Sequence, residues 1–81
     1  MQSIKDAVHE YLVTELATER ESFRPDENLL EQGVIDSLAI VKLVGFLEER
    51  FGIEVGDEER IPENFESIDA LSAFVQQKRN A

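Results

Sequence analysis

Ser37 is the residue of this sequence whose type and position could support covalent chemistry. Asp36 and Ser37 stand just before a long apolar stretch, and both residue types favour the position that caps the start of a helix. A serine in that position most often has a capping role alone. Because Ser37 follows a long segment without helical periodicity, we expect its hydroxyl to be exposed at the end of a loop.

Conventional catalytic groups are scarce in this chain. It has no cysteine and one histidine, His9, so it lacks a thiol nucleophile, a cysteine-based metal site and a histidine pair. His9 lies within a helical segment, and we interpret it as a surface side chain without a role. Residues 57–59 are all acidic but lack the alternating oxygen ligands and central glycine of a calcium loop. We therefore expect neither catalytic residues nor a metal site, and we predict that the protein is not an enzyme.

Helical periodicity extends through most of the chain and predicts an all-α fold. Ser3 is a candidate cap for a first helix that ends near Thr18. The apolar face of that helix consists of Ile4, Val8, Tyr11, Leu12 and Leu16. A second helix should begin at Asp36–Ser37 and end at Phe51–Gly52. It is apolar around most of its circumference, so we expect it to be central or partly exposed to a partner.

A long first loop separates these two helices. Residues 19–35 show no helical periodicity, and they contain Pro25 and Gly33, which favour turns. The residues that would attach this loop to the core are Leu29, Leu30, Val34 and Ile35. Loops of this length in compact domains often have a function.

The last third of the sequence predicts two further helices. Residues 53–55 alternate in polarity, but we expect an extended connector because no second strand is available for pairing. A short helix fits between residues 56 and 66, with Ile61 and Phe65 facing inward. Ser67 caps the last helix, and Lys78 and Arg79 suit its C-terminal end. The expected architecture is a bundle of three long helices and one short helix.

The composition limits the class of protein further. A chain of 81 residues, 42% of them hydrophobic, is long enough for one small core, so we expect residues 1–81 to form a single domain. Its net charge of −10 disfavours nucleic acids and anionic membranes as partners. Nine acidic and two basic residues lie in residues 48–69, giving that segment a net charge of −7. With no cysteine and no signal-peptide pattern, we expect a cytoplasmic protein. A monomer is the default expectation for its oligomeric state.

Three segments resemble the acyl and peptidyl carrier proteins. Residues 30–38, with the sequence LEQGVIDSL, resemble the motif at which these proteins carry their prosthetic group. Residues 47–55, LEERFGIEV, and residues 68–75, IDALSAFV, resemble later parts of the same family. The resemblance extends over nearly the whole chain in the same order, and the combination is far more specific than Asp-Ser-Leu alone.

The resemblance implies an acyl-carrier-type four-helix bundle with a covalent 4'-phosphopantetheine arm. A phosphopantetheinyl transferase would transfer the arm from coenzyme A to the hydroxyl of Ser37, and Asp36 would contact that enzyme in addition to capping the helix. The thiol of the arm would hold a cargo as a thioester for partner enzymes, which suits a chain without cysteine or catalytic residues. The partner contacts that we expect are Leu38, Val41, Lys42 and Ile61.

The spacing of the motif indicates a subgroup of the family. Three residues separate Gly33 from Ser37, whereas fatty-acid carriers usually have two, and this spacing resembles stand-alone carriers of amino acids such as D-alanyl carrier proteins. Ala39 and Lys42 stand where fatty-acid carriers are acidic. We therefore expect a discrete carrier of an aminoacyl or acyl group in natural-product biosynthesis. An adenylating ligase or an acyltransferase would load it, and tailoring or condensing enzymes would use the cargo.

Two alternatives remain open at this stage. The first is a fatty-acid or polyketide acyl carrier, loaded by an acyltransferase from malonyl-coenzyme A. The second belongs to a different class: an acidic helical adaptor that is never modified and binds a basic protein partner. Gly45, inside the second helix, also has several interpretations, because it could permit close helix packing, leave room near a cargo or simply be tolerated.

Overall fold

The computed structural model describes residues 3–16 and 20–80, and the regular secondary structure there is entirely helical. Helix α1 is Ile4–Tyr11 and continues directly into a π-helical segment, Leu12–Leu16. The remaining elements are α2 (Ser37–Phe51), a 3₁₀ turn (Asp57–Glu59), α3 (Pro62–Phe65) and α4 (Ile68–Arg79). The predicted all-α architecture of three long helices and one short helix is confirmed.

Helix α1 begins where the sequence predicts. Ser3 has an extended backbone, and its hydroxyl accepts a hydrogen bond from Asp6 N–H at 3.0 Å, which satisfies an amide that would lack a partner within the helix. Val8 and Leu12, on the predicted apolar face, are completely buried. The predicted end near Thr18 lies outside the described residues.

Helix α2 has a side-chain cap at its start and a glycine at its end. Asp36 is the N-cap, and Gly52 ends the helix in a left-handed conformation (φ 68°), which glycine adopts without strain. The Gly52 N–H donates to Glu48 O at 3.0 Å. The helix buries four of its side chains: Ala39, Leu43, Val44 and Leu47.

One core joins the helices to the loops between them. The largest completely buried side chains are Phe65, Leu12, Leu29, Leu43, Leu47, Ile68 and Leu71. Leu29 lies in the first loop and Phe65 in α3, so both irregular regions contribute to the core. Helix α4 packs mainly against α1 and α3.

The first loop, described from residue 20 onward, is attached to the core and to the α3–α4 junction. Leu29 and Ile35 are buried as predicted, while Leu30 and Val34 are half-buried. Two backbone hydrogen bonds cross to the junction: Leu29 N–H donates to Glu66 O at 2.7 Å, and Asp69 N–H donates to Pro25 O at 3.0 Å. The loop is therefore ordered by long-range contacts rather than by a helix of its own.

A contact between α1 and this loop corrects the interpretation of His9. The Phe23 N–H donates a hydrogen bond to His9 Nε2 at 3.0 Å, and the two rings meet edge to face with their centroids 6.3 Å apart. The Arg20 guanidinium lies 4.1 Å from the centre of the buried Phe23 ring. His9 is half-buried and connects two segments, so the expectation of a surface side chain without a role is wrong.

Glu27 organises the start of the loop. Its carboxylate accepts hydrogen bonds from the Arg24 N–H and from the Arg20 guanidinium, at 3.0 Å for the latter. The Arg24 N–H, assisted by Arg20, lowers the pKa of Glu27 below its usual value. The carboxylate is therefore charged at neutral pH and holds Arg20 over Phe23.

The segment between α2 and α4 is an extended connector followed by two short turns. Ile53 and Val55 are buried, and Val55 N–H donates to Glu48 Oε2 at 2.9 Å. No strand occurs in residues 20–80, so the expected connector is confirmed there. Phe65, in α3, is completely buried, but Ile61, immediately before α3, is 41% exposed. The prediction that Ile61 faces inward is therefore wrong.

Candidate functional site

Ser37 lies at the first position of α2 and is exposed to solvent. Asp36 precedes it with an extended backbone, and its carboxylate accepts a hydrogen bond from Ala39 N–H at 2.8 Å. The cap thus leaves the Ser37 side chain outside the helix. Within residues 3–16 and 20–80, no group forms a hydrogen bond with the Ser37 hydroxyl, which is therefore available to an external reagent.

The chain before Ser37 forms a compact turn. The Asn28 side-chain oxygen accepts from Glu31 N–H at 2.9 Å, and the Leu29 carbonyl accepts from both Val34 N–H (2.9 Å) and Ile35 N–H (3.2 Å). Gly33 adopts a positive φ of 74°, where a side chain would be strained.

This turn fixes the chain immediately before the serine. Ile35 is only 2% exposed, so it anchors the backbone two residues before Ser37. The expectation that Ser37 lies exposed at the end of a long loop matches this geometry.

A phosphate ester at Ser37 suits this position. The amino terminus of a helix favours an anion through its free N–H groups and the helix dipole. The first turn of α2 contains no acidic residue, so no carboxylate of that turn would repel the phosphate. Asp36 is the nearest carboxylate in the sequence, and its Oδ1 is already bonded to an amide of the helix. The residues around Ser37 therefore fit a phosphopantetheine group.

The surface next to Ser37 is apolar with one cation. Leu38 and Val41, on the first turns of α2, are 65% and 55% exposed, and with Ile61 they are the exposed large apolar side chains of the described chain. Lys42 is exposed on the same helix. Ala39 is 8% exposed, so this position, where fatty-acid carriers are acidic, faces the core and adds nothing to the surface charge.

Gly45 is a further member of this surface that the sequence left ambiguous. A β-carbon at Gly45 would meet nothing within 4 Å, and the residue is exposed. Glycine in a helix interior costs roughly 1 kcal/mol relative to alanine. Close packing within the chain therefore does not explain Gly45, and one of its three interpretations is removed.

A metal site does not accompany Ser37 in the part of the chain that the structure describes. Groups of three or more potential metal ligands do not occur among the residues that the structure describes. A groove of about 620 Å³ lies where α1 begins and α2 ends, between Ile4, Arg50, Phe51 and Arg79. Because Phe51 is fourteen residues after Ser37 in the same helix, this groove lies about 20 Å from the serine.

The described helices are also too short and too polar to span a membrane.

Comparison with known proteins identifies the class. Residues 6–75 match the family described as the phosphopantetheine attachment site. An acyl carrier protein homolog of Mycoplasmopsis pulmonis is 32% identical over 72 residues, covering 89% of this chain and 96% of the relative. The acyl carrier protein of Solidesulfovibrio magneticus is 26% identical over 77 residues, covering 95% of this chain and 96% of that protein.

A solved structure has the same fold. A chain in a crystal structure described as that of an FAD-dependent dehydrogenase aligns with a TM-score of 0.77 and 28% identity, covering 84% of this chain and 97% of that chain. The four-helix fold and the match over residues 6–75 define a carrier domain. This chain belongs to the phosphopantetheine-binding acyl carrier family, is not an enzyme, and uses covalently attached 4'-phosphopantetheine.

Proposed function

We propose that Ser37 carries the phosphopantetheine arm and that the protein delivers a thioester-bound aminoacyl or small acyl group to the enzymes of a biosynthetic pathway. The observation that carries the proposal is the exposed, unbonded hydroxyl of Ser37 at the start of α2, within the segment that matches the family. The arm supplies the thiol that a chain without cysteine lacks.

The chain's own residues prepare the serine in three ways. Asp36 holds the first turn of α2, so the Ser37 hydroxyl projects from a fixed backbone. Ile35 and Leu29 anchor the preceding turn in the core. The transferase would link the hydroxyl oxygen to the β-phosphorus of coenzyme A. The bond from that phosphorus to the oxygen bridging the two phosphates would break, and adenosine 3',5'-bisphosphate would leave. The hydroxyl proton leaves to the enzyme or to water.

The motif and the surface near it support the proposed class of cargo. Three residues between Gly33 and Ser37, and a lysine at position 42, favour an aminoacyl or small acyl cargo loaded by an adenylating ligase. A flavin-dependent dehydrogenase is a suitable tailoring partner, since a chain of this fold occurs in the structure described as an FAD-dependent dehydrogenase. The alternative cargo is that of a fatty-acid or polyketide carrier, which the relatives named acyl carrier protein support.

We infer that residues 1–81 act as a single carrier domain, as a monomer in the cytoplasm. Support comes from one continuous core and from a charge of −10 that opposes self-association. The expected partners are a phosphopantetheinyl transferase, the loading ligase or acyltransferase, and tailoring or condensing enzymes. Family membership disfavours the unmodified adaptor hypothesis.

The test is intact mass after incubation with coenzyme A, Mg²⁺ and a broad-specificity phosphopantetheinyl transferase. We expect the wild type to gain the mass of one phosphopantetheine on the peptide that contains Ser37. Ser37→Ala should gain nothing while its helical circular dichroism stays unchanged. Ser22→Ala, which alters another exposed loop serine, is the matched control and should be modified normally. An unmodified wild type, shown to be folded and free of a pre-installed arm, would refute the proposal and favour the adaptor.

A second assay decides the cargo. The holo protein is offered either amino acids with ATP and an adenylating ligase, or malonyl-coenzyme A with an acyltransferase. Thioester formation in the first reaction alone supports the aminoacyl carrier. Formation in the second alone supports the fatty-acid or polyketide alternative.

A further inference from the structure

The groove at the end of α2 far from Ser37 is positively charged, in contrast to the molecule as a whole. Three of the eight basic residues, Lys5, Arg50 and Arg79, line it. No acidic residue of the described chain does so, although the sequence contains 18 acids. The lining also includes two half-buried apolar side chains, those of Ile4 and Phe51. The groove therefore presents cations beside apolar surface.

Helix dipoles explain only part of this charge. Arg50 and Arg79 lie in the last turns of α2 and α4, where a helix dipole favours a cation. Lys5 lies in the first turn of α1, where the dipole disfavours one. Lys5 Nζ is 2.9 Å from Asp69 Oδ1, but both side chains are about half exposed, so the pair contributes little to stability and leaves Lys5 accessible. The position of Lys5 in this groove therefore points to an anion from outside the chain.

The two guanidinium groups are suited to a carboxylate. Arg79 is exposed, and within residues 3–16 and 20–80 no carboxylate forms an ion pair with it. The Arg50 guanidinium lies 5.8 Å from the centre of the Phe51 ring, which places a cation beside the apolar part of the groove. Guanidinium groups bind carboxylates through pairs of parallel hydrogen bonds.

The shape of the groove suits a short extended peptide. Ser72, Gln76 and Arg79 have the spacing of one helix face, so they form a wall along α4 about 10 Å long. An extended chain rises about 3.3 Å per residue, so about three residues would fit along this wall. The hydroxyl of Ser72 and the amide of Gln76 can bond to the backbone of such a peptide.

We propose that this groove binds an acidic peptide segment of a partner protein. Its carboxylates would contact Lys5 and Arg79, and an apolar side chain between them would pack against Ile4 and Phe51. Because the groove and Ser37 lie at opposite ends of α2, the bound segment would leave the serine accessible. A partner held there would gain effective concentration for a reaction at the other end of the molecule.

The experiment titrates the isotopically labelled full-length protein with the peptide acetyl-Glu-Glu-Leu-Glu-Glu-amide and follows the amide chemical shifts. An ionic strength of about 0.1 M is suitable, because acids beyond about 10 Å are then screened while direct contacts persist. We expect saturable shifts at Ile4, Phe51 and Arg79, and none with a peptide in which glutamine replaces each glutamate. No saturable shifts, or equal shifts with the glutamine peptide, would overturn the inference. Saturation by free glutamate at the same concentration would also overturn it, because the site would then be one for a small anion.

Variants of Arg79 test the charge of the groove. Arg79→Gln should raise the Kd of the acidic peptide about threefold, the effect of one partly exposed ion pair, and Arg79→Glu should raise it about tenfold by adding repulsion. Arg24→Gln, which removes an exposed arginine outside the groove, is the matched control and should leave the Kd unchanged. An unchanged Kd for Arg79→Glu would refute the proposed contact.

This inference does not depend on the modification of Ser37. Ser37→Ala should bind the acidic peptide as tightly as the wild type does, since the serine is about 20 Å from the groove. Weaker binding by Ser37→Ala would place the peptide at the wrong end of α2 and overturn the inference. Failure of the wild type to gain an arm in the mass assay would instead refute the proposed function, so the two failures are distinguishable.

Discussion

Asp36 illustrates how one residue serves both the fold and the site. Its carboxylate caps α2 through Ala39 N–H, and its position next to Ser37 places it where a modifying enzyme would arrive. The sequence predicted the cap directly, because aspartate before an apolar helix is a local signal. Its contact with the enzyme was implied by the family resemblance and stays a prediction.

Two substitutions at position 36 separate these roles. Asp36→Ala should lower the free energy of unfolding by about 1 kcal/mol through loss of the cap, measured by urea denaturation. Asp36→Asn should keep most of the stability, since asparagine caps as well as aspartate, but should slow installation of the arm if the carboxylate contacts the enzyme. A wild-type modification rate for Asp36→Asn would show that residue 36 acts as a cap alone.

His9 is the residue that sequence reasoning missed. Its partner, Phe23, is fourteen residues away and belongs to a loop without periodicity, so no local pattern could pair them. A histidine within an amphipathic helix gives the same signal whether it faces solvent or a loop. The long-range position of Phe23 decided between the two.

Replacing the acceptor at position 9 tests the contact. His9→Leu should expose the Phe23 amide to faster hydrogen exchange and cost roughly 1 kcal/mol, because a half-buried N–H loses its partner. His9→Gln, whose side-chain oxygen can accept the same hydrogen bond, should restore part of the protection. Equal exchange rates of the Phe23 amide in both variants would contradict a role for the acceptor.

At the scale of elements, an ion pair links the 3₁₀ turn to α4. Lys78 Nζ lies 2.9 Å from Glu59 Oε1, and the same carboxylate accepts from Gly56 N–H at 2.9 Å. The Lys78 hydrogen bond, followed by the Gly56 N–H, lowers the pKa of Glu59 below its usual value. The short elements between α2 and α4 are therefore held partly by charge.

The lowered pKa of Glu59 gives a pH-dependent stability with a defined sign. The folded state favours the ionised form, so this stabilisation is fully present above the ordinary pKa of a glutamate and is lost as the pH falls through the lower folded value. Glu59→Gln should therefore be less stable than the wild type at pH 7, and the difference should disappear in acid. Glu63→Gln, an exposed change in α3, is the control. A difference that persists in acid would exclude the charge as its source.

At the scale of the whole molecule, charge opposes compaction. The ion pairs in the described chain are at least partly exposed, whereas residues 48–69 alone have a net charge of −7. Exposed pairs contribute little, so the repulsion among the acids should dominate the response to salt.

Salt should therefore stabilise this protein. Raising the ionic strength from about 0.01 M to about 0.1 M shortens the Debye length from about 30 Å to about 10 Å, which screens the repulsion. We expect the unfolding temperature at pH 7 to rise by a few degrees, followed by circular dichroism. Near the isoelectric point of about 4.4 the rise should vanish. A fall in unfolding temperature with salt at pH 7 would show that attractive pairs dominate.

The sequence by itself determined the helices and the candidate site, because both are encoded locally. Caps at Ser3, Asp36 and Ser67 and the apolar periods placed the starts of α1, α2 and α4, and three short segments, one of them around Ser37, indicated the family. Each of these signals involves residues a few positions apart. The hydrogen bond of each cap closes within one helical turn.

In α2 and around α3, tertiary structure alone decided which side chains face outward. Ile61 and Phe65 are both apolar and four residues apart, yet Phe65 is buried and Ile61 is exposed, since a four-residue helix has too little length for a period to select its face. In α2, Ala39 is buried and Gly45 is open to solvent, and the local sequence does not distinguish these two positions. Helix α2 is apolar around most of its circumference, so only its packing against the other elements decides which stripe remains for partners.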